Sequence, residues 1–121
     1  MKYISTRGNA PVLSFEDAML TGLARDGGLY VPETIPKLSH SGIAAMAGLP
    51  YEEVAFRVIQ PFVGNSFSDT ELMDAITTAY AGFGHVARAP LVQLGQNHYL
   101  LELFHGPTLA FKDFAMQLIG Q

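Results

Sequence analysis

One lysine among apolar side chains is the residue of this sequence best suited to covalent chemistry. Lys112 lies in Leu109-Ala110-Phe111-Lys112-Asp113-Phe114. An amine attacks a carbonyl only when neutral, and at an ordinary pKa of about 10.4 only about 0.04% of it is neutral at pH 7. Enclosure by Leu109, Phe111 and Phe114 lowers that pKa by desolvation, and the positive end of a helix dipole acts in the same direction. Asp113 opposes both. The bland alternative is a stem laid along the aromatics with its ammonium in water. Residue types alone leave both readings open.

Other groups that could do chemistry are less promising. His85, His98 and His105 have no carboxylate or cysteine joining them at ligand spacing, so no metal centre is expected. His105, the histidine nearest Lys112, could line a site or simply orient the turn. Gly27-Gly28 does not follow G-x-G-x-x-G, and no helix start comes directly after it, so it reads as a helix C-cap and turn rather than a phosphate loop.

These residues need elements to position them. His98 to Phe104 is short and nearly continuous in apolar character, which predicts a strand buried on both faces. Gly106-Pro107 stops it. Thr108 then reads as the N-cap of a helix with a stripe of Phe111, Phe114, Ala115 and Leu118, and Lys112 off the stripe in the first turn. A strand, a turn and a helix start place a side chain at the carboxyl end of a sheet, where open α/β folds bind ligands.

Upstream, Lys2 to Thr6 reads as a short strand. Ser14 with Asp17 resembles a capping box that opens a helix with Phe15, Ala18, Met19 and Leu23 on its apolar face, ended by Asp26-Gly27-Gly28. Leu29 to Val31 makes a short strand, and Glu33 to Lys37 an extended connector. Residues 41 to 47 form one or two helical turns. A helix from about Pro50 carries Tyr51, Val54, Ala55, Val58, Ile59 and Phe62, closed by Pro61 and Gly64. Ser68 with Glu71 is an S-x-x-E box opening another, with Leu72, Met73, Ile76, Ala79, Tyr80 and Phe83 as core rather than a cofactor box. Leu91 to Leu94 pairs with the strand after Gly95-Gln96-Asn97 as a hairpin.

Composition narrows the function. The chain has 121 residues, 49% hydrophobic and 15% charged. That charge is below the roughly one quarter usual for a soluble domain, so part of the surface is expected to be covered. Net charge is −4, with no Lys/Arg cluster, which argues against nucleic-acid binding. There is no cysteine, which fits a reducing cytoplasm. No apolar run approaches a membrane span, and the first residues lack the apolar core of a signal peptide.

Glu102 to Phe114 resembles the cofactor-lysine segment of threonine synthases, fold type II enzymes that use pyridoxal 5'-phosphate. Tyr3-Ile4-Ser5-Thr6-Arg7, Ser14 to Ala18 and Gly22 to Pro32 resemble the N-terminal segment of the same family, in the same order. The resemblance implies an α/β fold, the N-terminal portion of a fold type II enzyme, with short strands, about four helices and an incomplete sheet. It assigns residues 1–85 to the N-terminal region and 86–121 to the start of the cofactor-binding region, with Lys112 as the Schiff-base lysine. His105, Thr108, Phe111 and Asp113 are expected to line the site. The implied reaction is O-phospho-L-homoserine and water to L-threonine and phosphate, in the cytoplasm.

Nine residues follow Lys112, with one glycine among them, Gly120. The family's phosphate-binding loops mostly lie later, so the chain is expected to be an N-terminal fragment that is inactive alone. Two rivals are another fold type II lyase, such as a threonine dehydratase or cysteine synthase relative, and a non-enzymatic interaction domain. The Gly-Pro-Thr-Leu-Ala-Phe-Lys run argues against the first. The apolar tail favours the second.

Overall fold

The computed structural model describes residues 1–121 and divides them into two units, Met1–Ala47 with Arg57–Asp69, and Gly48–Phe56 with Thr70–Gln121.

In the first unit, β1 (Lys2–Ser5) is the centre of a three-stranded antiparallel sheet, flanked by β2 (Leu13–Ser14) and β3 (Tyr30–Pro32). The two-residue period of the strand buries Tyr3 and Ser5. The Tyr3 hydroxyl donates to the Phe62 carbonyl at 2.9 Å, and its ring stands edge-on to Phe15 at 5.8 Å. Helix α1 (Phe15–Thr21) begins at the expected box: Ser14 Oγ accepts the Asp17 N–H at 3.1 Å and donates to the Asp17 carboxylate at 2.7 Å.

The helix ends sooner than its apolar pattern suggests. Gly22, at φ 70°, caps it, and the chain then forms a Leu23–Leu29 bridge around a turn at Gly27. Leu23 therefore lies outside the helix and Gly27-Gly28 is a turn without being the helix cap. The Gly27 N–H donates to the Ala24 carbonyl at 2.8 Å and the Gly28 N–H to the Asp26 carboxylate at 2.9 Å, so neither is free for a phosphate. That carboxylate also accepts Ser5 Oγ and the Asn9 N–H. Burial pushes the Asp26 carboxyl up, but these hydrogen bonds outweigh it and hold the group below its ordinary value.

Helix α2 (His40–Ala44) is capped by Ser39, and with its trailing turns it accounts for the turns read at 41 to 47. Helix α3 (Tyr51–Val63) passes from the second unit into the first. Pro61 lies inside α3 rather than closing it; Gly64, at φ 59°, is where it stops. A proline so close to the end leaves only the Arg57 carbonyl without its helical donor, which explains why the helix survives it.

Helix α4 (Asp69–Tyr80) starts directly after Ser68 and buries Leu72, Ile76, Ala79 and Tyr80, the face read from its period. β4 (Leu91–Gly95) and β5 (His98–Leu101) form the expected antiparallel hairpin, with Asn97 at φ 57° in its turn. Helix α5 (Asp113–Ile119) follows. The expected double-sided burial of the second strand is not found: β5 stops at Leu101, pairs with β4 alone, and both strands are exposed along their length.

Five helices and two small antiparallel sheets make a mixed α/β fold with short strands. No helix is long and apolar enough to cross a membrane.

Candidate active site

Lys112 immediately precedes α5, in the second unit. The start of the helix is held from two sides. From α4, the Tyr80 hydroxyl donates to the Phe114 carbonyl at 2.8 Å. The Phe114 ring packs on Phe83 at 5.0 Å, Phe83 on Tyr80 at 5.2 Å, and Tyr80 on Tyr51 at 5.0 Å, with ring planes inclined at 60°, 61° and 73° in the preferred edge-to-face arrangement. Burial, then the proximity of Tyr80, raises the Tyr51 hydroxyl far above its ordinary value; burial raises Tyr80 as well. Both phenols stay protonated and act as packing and donors.

From the preceding loop, Asp113 reaches back to Thr108. Asp113 Oδ2 accepts the Thr108 N–H at 2.9 Å, Oδ1 accepts Thr108 Oγ1 at 2.9 Å, and Gln117 Nε2 donates to Oδ1 at 3.2 Å. Only 2% of Asp113 is exposed. Burial pushes its carboxyl up, yet the bonds from Thr108 and Gln117, with a backbone bond at Ala110, prevail and hold it below the ordinary carboxylate value. Gly106 lies against this carboxylate: a Cβ there would clash with Asp113 Cβ and Oδ2 and come within 2.7 Å of Cγ.

The helix therefore differs from its sequence reading in three respects, the first being that Lys112 is the residue before it and not in its first turn. Thr108 is no N-cap of α5; it lies five residues before Asp113 and bonds to that carboxylate. Its buried or half-buried positions are Asp113, Phe114, Gln117 and Leu118, whereas Phe111 is 66% exposed and Ala115 is also exposed. The apolar count misled because the inward position is taken by a carboxylate whose cost of burial is met by hydrogen bonds.

Lys112 itself is exposed and its amine makes no hydrogen bond or ion pair, so the enclosure anticipated from Leu109, Phe111 and Phe114 does not arise within this chain. Asp113 points to Thr108 and not to the amine. His105 turns to Glu102, Nε2 to Oε2 at 2.6 Å; its carbonyl accepts the Gly84 N–H at 2.8 Å, and its ring is 5.1 Å from that of His85. Thr108 and Asp113 thus come together in the segment that carries Lys112, while His105 belongs to a separate local contact. Sequence reasoning missed the contributions of Gly106, Leu109 and Tyr80. A glycine and a threonine seven and five residues ahead of an acid were the available signal for Gly106 and Thr108.

Residues 2–80 match the family model described as the N terminus of threonine synthase. The chain belongs to the threonine synthase family. Threonine synthase from Pseudomonas aeruginosa is 58% identical over the whole chain, and that from Schizosaccharomyces pombe 43% identical over 99% of it. The crystal structure of PLP-bound threonine synthase from Brucella melitensis, 54% identical, matches 98% of the chain with a TM-score of 0.95, and that of yeast threonine synthase, 39% identical, matches 98% of it with 0.90. The matched portion is 26% of the Pseudomonas and Brucella threonine synthases, so the chain spans about a quarter of the length of these relatives. The N-terminal likeness read at Tyr3 to Arg7 and Gly22 to Pro32 lies inside the matched region.

Proposed function

We propose that this chain is the N-terminal part of a pyridoxal-phosphate-dependent threonine synthase, that residues 86–121 begin its cofactor-binding region, and that Lys112 is the cofactor-bearing lysine. The intact enzyme converts O-phospho-L-homoserine and water to L-threonine and inorganic phosphate, in the cytoplasm. The Cγ–O bond to phosphate breaks, and the elements of water end on the substrate carbon skeleton. The observation that carries this reading is an exposed, unpaired primary amine beside a part-buried pair of hydrogen bonds that pins the backbone, in a chain of this family.

These residues fit the aldehyde end of the cofactor. The Lys112 amine has no partner to give up, and neighbouring Asp113 is committed to Thr108. The phosphate end is not assigned within the chain, since the N–H groups of its Gly27-Gly28 turn are already used. When bound, pyridoxal phosphate supplies an aldehyde that condenses with amines and an electron sink for carbanion chemistry. Lys112 would present Nζ to that aldehyde and, when free of it, would hold and move a proton at the same atom. The enclosure that favours a neutral amine comes, on this reading, from the remainder of the enzyme.

Adding pyridoxal phosphate to the full-length protein, reducing with borohydride and mapping the modified peptides tests the assignment. One adduct, on Lys112, is expected. Equal labelling of Lys2, Lys37 and Lys112 would refute it. Phosphate release from O-phospho-L-homoserine by the 121-residue chain alone should be undetectable.

A further inference from the structure

We propose that Asp113, through its two hydrogen bonds to Thr108, is a positioning residue that fixes the backbone carrying Lys112. The inference rests on the reading of Lys112 as the cofactor-bearing amine. The two bonds run backwards over five residues and close a small loop, 108 to 113, in which Lys112 is the sole group able to react with a carbonyl.

Three features of that loop serve one geometry. Leu109 has φ 63°, a conformation that a bulky L-residue rarely adopts, and its side chain is 72% exposed, so its own packing does not hold it there. What holds it are the bonds on either side: its N–H to the Gly106 carbonyl at 3.1 Å, and Thr108 to Asp113. Gly106 has no side chain where a Cβ would strike Asp113. A carboxylate at a solvent-facing position could meet the N–H groups of a helix start without being desolvated, whereas Asp113 is buried and spends its acceptors on Thr108 and Gln117. The strain and the buried charge are concentrated in the loop that presents Lys112, while the Lys112 side chain makes no bond that holds it; only its carbonyl does, accepting the Ala115 and Met116 N–H groups. A reacting group misplaced by about 1 Å loses rate on the order of a hundredfold, which gives such rigidity a use.

The test uses full-length protein freed of cofactor and the variants Thr108→Val, Thr108→Ser and Asp113→Asn. Pyridoxal phosphate is added, samples are quenched with borohydride at intervals, and adducts at Lys112, Lys2 and Lys37 are followed by peptide mass spectrometry. Thr108→Val and Asp113→Asn are expected to slow capture at Lys112 by about tenfold or more, with the rates at Lys2 and Lys37 unchanged. Thr108→Ser keeps both donors and should restore capture to within about twofold of the unsubstituted protein. Thr108 is exposed, so Thr108→Val is expected to fold even if Asp113→Asn does not, and the valine-serine comparison then decides. Selective capture at Lys112 that is equally fast in Thr108→Val overturns the positioning role and leaves the cofactor assignment standing. Equal capture at all three lysines of the unsubstituted protein overturns both.

Discussion

Substituting Gly106 by alanine isolates the packing of the Lys112 loop from its chemistry. The added methyl would overlap Asp113 Cβ and Oδ2 and lie 2.7 Å from Cγ, and these atoms cannot yield cheaply because Asp113 is buried and bonded on both oxygens. Overpacking of this kind costs about 1–3 kcal/mol. Displacing the carboxylate from Thr108 removes hydrogen bonds worth roughly 1 kcal/mol each. Lower unfolded-state entropy on replacing glycine returns about 0.4–1 kcal/mol. The net expectation is a loss of about 2–4.5 kcal/mol. Gly82→Ala is the control: its Cβ meets only Pro107 Cγ at 3.6 Å, an ordinary contact, so its effect should stay within about 0.5 kcal/mol. Urea unfolding reads the difference as a fall in midpoint of about 1–2 M for Gly106→Ala, for a slope of about 2 kcal/mol per M. Adding Thr108→Val to Gly106→Ala should cost less than Thr108→Val alone, because the bond it removes is already disturbed. Matching midpoints for Gly106→Ala and Gly82→Ala would refute the packing argument.

Leu109→Asn should stabilise the chain by about 0.5–1 kcal/mol, since asparagine tolerates the left-handed region and the leucine side chain is largely exposed; a lower urea midpoint would count against the strain. Ile76, with 0% of its surface exposed, should cost about 2–5 kcal/mol on truncation to alanine, read as a drop in thermal midpoint. Acid should destabilise the fold through Asp26 and Asp113. Both carboxyls are depressed in the folded state, so their stabilisation is complete above the unfolded value of about 3.9 and is lost as pH falls through the lower folded values. Asp113→Asn should flatten that part of the stability profile; an unchanged acid limb would show that Asp113 does not contribute to it.

Much of the fold follows from local rules that the sequence states openly. The Ser14-Asp17 box, the α3 and α4 periods and the β4–β5 hairpin are short-range, and short-range pattern is what a single sequence carries. The misreadings lie where a longer-range partner intervenes. Gly22 ended α1 ahead of the more conspicuous Gly27-Gly28 because the Leu23–Leu29 bridge needs the chain to turn earlier. Asp113 was read as a charge beside Lys112 and as lining the site, not as a partner of Thr108, since that pairing depends on a fold-back at Gly106 to Leu109 that apolar periodicity does not report. The sequence could single out the lysine as a candidate, but not the fold-back of Thr108 onto Asp113 that precedes it, and the enclosure read from its neighbours does not arise within this chain.

The tether from Tyr80 to the Phe114 carbonyl has a consequence for how Lys112 can travel. With the chain fastened to α4 two residues on, at the Phe114 carbonyl, and to Thr108 one residue on, through the Asp113 carboxylate, the main chain at Lys112 behaves as a fixed pivot. Any swing of the amine toward or away from a reacting carbon is then left to rotations along its own flexible four-carbon stem, a crane arm on a bolted base.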